Sequence, residues 1–173
     1  MGTRLLVAAT SLLAACAQGG FAPPAAPARA DERTVVEAPF ERSWSVVVRT
    51  LFDLNLPIRT IEKASGLVET EDLRAEIGRG CDCGTYLGIP VGGYGAYGGD
   101  AQFKYRLLIQ PEGPTRTSIM LRSSCVSAVA ELPNLVCRLD PVKEETLRNE
   151  IRARIAAEPA PAAPSARPHA ASE

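Results

Sequence analysis

The sequence predicts an α+β domain: a two-layer antiparallel sheet with two helices packed on one face, between disordered N- and C-terminal arms. Three observations carry this. Residues 101–110 and 117–123 alternate apolar and polar side chains about a Pro-Glu-Gly-Pro turn, as a hairpin with one buried face does. Residues 40–52 place apolar side chains at helical spacing, and residues 141–157 do so more thinly. The element order is strand, helix, two strands, a Gly-rich insertion, a hairpin and a final helix, without βαβ alternation or internal repeats.

Composition narrows the function. The chain has 173 residues, 19 basic against 20 acidic, and a net charge of −1. That length suits one domain, and the balance speaks against nucleic acid as the main partner, because phosphate neutralisation takes excess Lys and Arg. The one histidine, His169, lies near the C-terminal end, which leaves no imidazole for Ser-His or Cys-His catalysis in the domain. No enzymatic activity and no cofactor or metal is expected.

Residues 1–15 read as an export signal: Arg4 supplies the positive start, and Leu5 to Ala15 form an uncharged, mostly apolar run. That run is too short to span a bilayer, which takes about 20 apolar residues. Leu13-Ala14-Ala15-Cys16 resembles the lipobox of bacterial lipoproteins. The resemblance implies that Cys16 is acylated and becomes the first mature residue. It also implies that Ala17, rather than Asp, directs the protein to the periplasm-facing side of the outer membrane. Residues 16–33 are then an Ala/Pro/Gly-rich tether, with Pro23, Pro24 and Pro27 favouring extended polyproline geometry and a reach of about 50 Å. Residues 158–173 mirror it as a disordered Ala/Pro tail.

The domain spans 34–157. A β-branched strand at Thr34 to Glu37 leads through Pro39, expected at the first helical position, into a helix. Its apolar stripe is Phe40, Trp44, Val47, Val48, Leu51 and Phe52, and Asn55-Leu56-Pro57 ends it. Ile58 to Lys63 and Leu67 to Glu71 are short strands about Ser65-Gly66. Ala101, Phe103, Tyr105, Leu107 and Ile109 face the core with Thr117, Ile119, Leu121 and Ser123. Asp140 and Pro141 cap and open the last helix, whose thin seam is Leu147, Ile151 and Ile155. Glu144 with Arg148 and Glu150 with Arg154 support its outer face at i,i+4 spacing.

Phe40-Glu41-Arg42-Ser43-Trp44, Leu54-Asn55-Leu56-Pro57-Ile58 and the strand-turn-strand from Ile61 to Val68 together resemble the helix-grip domains of BamC/NlpB-type outer-membrane lipoproteins. The match is best over the N-terminal half of the domain, and its motifs are structural rather than catalytic. It implies a role beside outer-membrane β-barrel assembly.

With Cys16 acylated, Cys81, Cys83, Cys125 and Cys137 remain, an even number suited to two disulfides in an oxidising compartment. Pairing Cys81 with Cys83 would close too small a ring, so both should cross to Cys125 and Cys137, in either order. A four-thiolate zinc site is the alternative, but the spacing lacks paired C-x2-C knuckles. The loop 78–100 contains a literal G-x-G-x-x-G from Gly93 to Gly98, yet a strand follows instead of a helix, so no phosphate cradle is expected. The loop is either a braced, mobile connection or a partner-binding tip presenting Tyr86, Tyr94 and Tyr97. Lys104, Arg106, Arg116 and Arg122 lie on the outward hairpin face, either binding an acidic partner or pairing with Glu62, Glu69 or Glu71.

The expectation is a non-enzymatic lipoprotein that docks onto envelope or outer-membrane proteins while its lipid enters the bilayer. The alternative is a small-ligand or lipid carrier, using space between the sheet and the thin seam of the last helix.

Overall fold

The computed structural model describes residues 20–25, 33–77, 80–91, 99–127 and 135–158. In order, the elements are β1 (Phe21–Ala22), β2 (Arg33–Val36), α1 (Phe40–Asp53), β3 (Ile58–Glu62), β4 (Leu67–Thr70) and β5 (Leu73–Glu76). There follow β6 (Cys81–Asp82), β7 (Thr85–Tyr86), β8 (Ile89–Pro90), β9 (Asp100–Pro111), β10 (Thr117–Ser127), β11 (Val136–Leu139) and α2 (Pro141–Ala157).

The alternating segments form the long β9–β10 hairpin, in register from Pro111↔Thr117 to Ala101↔Ser127. Ala101, Phe103, Tyr105, Leu107 and Ile109 are all buried, as are Thr117, Ile119, Leu121 and Cys125 opposite them. The main sheet runs β3-β4-β9-β10-β11-β6, with β5 also on β9 and β2 also on β10. Its pairings are antiparallel. α1 packs on α2 and β9, while α2 packs on β10 and β2. One face of the sheet therefore carries both helices, and the core lies between the layers.

α1 buries Ser43, Trp44, Val46, Val47, Thr50 and Leu51. This face is turned from the predicted stripe: Phe52 is 78% exposed, and two small polar residues take inner positions. Thr50 tolerates burial because its hydroxyl donates to the Val46 carbonyl at 2.7 Å, so a polar residue can face the core where apolarity alone would not place it. Pro39 is the N-cap, one position before the predicted one, and its carbonyl accepts from Ser43 N–H at 3.0 Å. At the other end Asn55 takes φ 53°, and Leu56 N–H reaches back to the Leu51 carbonyl at 2.9 Å, a Schellman closure. Thr117 Oγ1 donates to the Ala38 carbonyl at 2.7 Å, pinning the turn between β2 and α1 onto β10.

α2 starts as predicted, with the Asp140 carboxylate accepting from Val142 N–H at 2.9 Å and Pro141 at the first position. Leu147, Ile151 and Ile155 are its buried residues. Glu150 and Arg154 pair at 2.7 Å. Glu144 turns to the sheet instead of to Arg148, accepting from the Ser123 hydroxyl.

Two departures concern segments expected to be structureless. The insertion holds β6, which pairs with β11, and the β7–β8 hairpin. Nor is the tether free of the domain: Phe21 and Ala22 pair with Tyr86 and Thr85, Leu87 N–H donates to the Gly20 carbonyl, and Phe21 packs against the core. Strands of two residues are too short for alternation to be visible, and one aromatic residue is lost in an Ala/Pro average. Among the described residues no helix is long and apolar enough to cross a membrane.

Candidate functional site

Two features stand out from the scaffold: the strapped segment Cys81–Val91 and the sheet face that, among the described residues, bears no helix. The strap is covalent. Cys81 bonds Cys125 and Cys83 bonds Cys137, which resolves the open pairing and uses all four thiols that a zinc site would require. Cys125 and Cys137 are direct cross-strand partners, yet each reaches out to the insertion, so both β10 and β11 hold it. Asp82, between the two bridgeheads, accepts from Gly84 N–H at 2.9 Å and lies 3.6 Å from the Arg138 guanidinium.

Gly84 adopts φ 82°, and a Cβ there would stand 2.2 Å from the Ala22 carbonyl, so the close approach of β1 requires glycine. Tyr86, named from the sequence as a partner contact, is half-buried and packs toward the core beside β1. The strapped segment's exposed large apolar side chains are Leu87, 68% exposed, and Ile89, 46% exposed, on either side of Gly88. Sequence reasoning favoured the tyrosines and passed over these two. The available signal was a branched apolar pair flanking a turn glycine in an uncharged stretch. Tyr94, Tyr97 and Cys16 lie outside the described residues.

On the bare face, Glu69 of β4 stands opposite Arg106 of β9. Arg106 Nη2 lies 2.7 Å and Lys104 Nζ 3.2 Å from its carboxylate. The hydrogen bond from Arg106 holds the Glu69 carboxyl below its ordinary range, against the upward push of burial, and Lys104 adds to the lowering. Arg122 is in register with Arg106 on β10, so these cations share one face. Arg116 belongs elsewhere, at the turn end, 3.3 Å from Glu37 and 3.8 Å from Glu112. Glu62, an expected partner, instead accepts from the Ser65 hydroxyl at 2.9 Å. Next to the charged row, Leu67, Leu108 and Met120 form a half-buried apolar row across β4, β9 and β10.

Two spaces adjoin the last helix among the described residues. Between α2 and the sheet, a void lined by Ile119, Leu121, Arg148 and Ile151 measures about 10 Å³, barely one water. The long stems of Arg148 and Arg152 close the flank that the thin apolar seam leaves open. A larger groove of about 770 Å³ lies beside β2 and the end of α2, wide open to solvent. There Arg42 donates to the carbonyls of Ile155 and Glu158. Neither the protein-family models nor the curated proteins compared with this chain give a match.

Proposed function

We propose that this chain is a membrane-anchored, non-enzymatic lipoprotein that docks onto other envelope proteins, as an accessory factor in outer-membrane β-barrel assembly. The observation carrying this reading is the two-sided sheet. One face is closed under both helices, and the other offers an apolar row beside the Glu69–Arg106–Arg122 row, with no helix over it among the described residues. Such a mixed face, anchored on a hairpin with little freedom to deform, suits adhesion to another protein. The lipobox-like Leu13 to Cys16 supports the membrane anchor. Two disulfides fit an oxidising compartment such as the periplasm. The BamC/NlpB resemblance supports the assembly role. Among the described residues the void beneath α2, about 10 Å³, is far too small for a carried lipid or small ligand, and the groove of about 770 Å³ beside β2 is open to solvent.

The test is crosslinking in cells, isolation in mild detergent through a C-terminal tag, and identification of what co-purifies. Outer-membrane or envelope proteins are expected with the wild type and lost with Met120→Glu, whose intact mass confirms both disulfides. Recovery of the chain alone after crosslinking defeats the docking reading.

A further inference from the structure

We infer that the β7–β8 hairpin rests on the bilayer surface, with Leu87 and Ile89 entering the interface between headgroups and acyl chains. The domain then lies against the membrane instead of hanging from a long tether. This rests on the acylation of Cys16 proposed above.

The Gly20 carbonyl accepts from Leu87 N–H, Phe21 and Ala22 pair with Tyr86 and Thr85, and the Ala25 carbonyl accepts from Arg138 at 3.1 Å. The N-terminal arm is thus fixed to the strapped segment from its first described residue. Only residues 17–19 separate Cys16 from Gly20, a span of about 14 Å when fully extended. A lipid on Cys16 therefore brings this hairpin to within about 14 Å of the membrane surface.

The hairpin's chemistry matches that position. From Gly84 to Val91 the only ionisable side chain is Tyr86, so approaching lipid strips no charge of its water. Leu87 and Ile89 are exposed at the turn, and Leu87 holds φ 51°, a backbone region that leucine rarely takes. Asn or Gly would serve that turn with less strain, so an exposed apolar residue is retained there at some conformational cost. The strap bonding Cys81 and Cys83 to β10 and β11 then passes the hairpin's orientation to the whole sheet.

The test uses the full acylated chain in phosphatidylethanolamine–phosphatidylglycerol vesicles, with lipids brominated on the acyl chains as the quencher. Trp44 is buried in the core and gives the background. L87W and I89W are the probes, and F52W is the control at the other end of the domain. Asp53, next to Phe52, pairs with Arg154 near the end of α2, whereas Asp140 at its start bonds Gly80 beside the insertion. At least two-fold quenching of L87W and I89W is expected, with F52W no more quenched than wild type. Intact masses showing both disulfides qualify each variant, and I89W carries the test alone if L87W does not fold.

Acylated protein that floats with the vesicles while L87W and I89W stay unquenched overturns the inference and leaves the anchor standing. Equal quenching at all three positions overturns it too. So does shielding of L87W that appears only when envelope proteins are added. An unacylated Cys16 overturns the inference and the anchor together.

Discussion

At Gly66 two backbones approach so closely that a side chain has nowhere to go. The residue holds φ 74°, its carbonyl accepts from Ile109 N–H at 2.8 Å, and a Cβ would lie 1.9 Å from the Ile109 carbonyl oxygen. Neither main chain can yield without breaking the β4–β9 ladder. Gly66→Ala should therefore lower the unfolding free energy by about 2–4 kcal/mol in urea titration. Gly88→Ala makes a useful contrast: its φ is 77° but nothing lies within 4 Å, so only backbone strain of about 1 kcal/mol is expected. Equal losses at the two sites would refute the close-approach account. Tyr105 shows a different residue-scale effect. It is buried with its ring edge-on to Phe103, and burial, then the negative charge of Glu144, pushes its phenol up to about 12. The folded state thus holds its proton more tightly than the unfolded state. The associated stability is complete below the unfolded value of about 10 and disappears as pH rises towards 12. Between those limits the wild type should lose about 2–3 kcal/mol more than Tyr105→Phe, measured by urea unfolding at each pH. Parallel curves for the two proteins would remove Tyr105 as the cause.

Among the elements, the shortest strands depend most on covalent help. β6, β7 and β8 have two residues each, too few to persist on ladder hydrogen bonds alone. The bridges close separations of 44 and 54 residues, for which the chain-entropy argument gives about 4 kcal/mol apiece when each acts alone. Their spans overlap, so the two contributions do not simply add. The Cys83→Ser, Cys137→Ser double variant should lose about 2–4 kcal/mol, and limited proteolysis should cut within 81–91 before the hairpin core. Unchanged protection of that segment would mean that its own packing holds it. The same contrast explains what could be read from sequence at this scale. β9 and β10 are long enough for alternation to declare their inner face, although β10 runs on to Ser127, past the alternation read to Ser123, and Asp140-Pro141 declares the start of α2 by cap chemistry. The inner face of α1 was harder to read. Ser43 and Thr50 are polar yet buried, Thr50 satisfied by the Val46 carbonyl of its own helix, while Phe52 is apolar and exposed, so polarity does not mark the inner face.

Taken whole, the molecule's two layers were legible because one-sided hairpins and amphipathic helices have only one economical way to bury their faces. The insertion's architecture was not legible, since it is set by long-range pairing and disulfides that leave no local periodicity. For the candidate site, the outer-face position of Lys104, Arg106 and Arg122 followed from strand parity, but Arg116 lies past the turn, where parity no longer assigns a face. The pairing of the tether leaves no mark in its own residues for a related reason: whether Phe21 packs depends on β7, far along the chain. That small pairing also has a mechanical consequence. A pull on the chain before Gly20 meets the fold first at β1, whose partner β7 belongs to a segment bonded covalently to β10 and β11. While that pairing holds, part of the load passes to the β9–β10 ladder, where many hydrogen bonds share it.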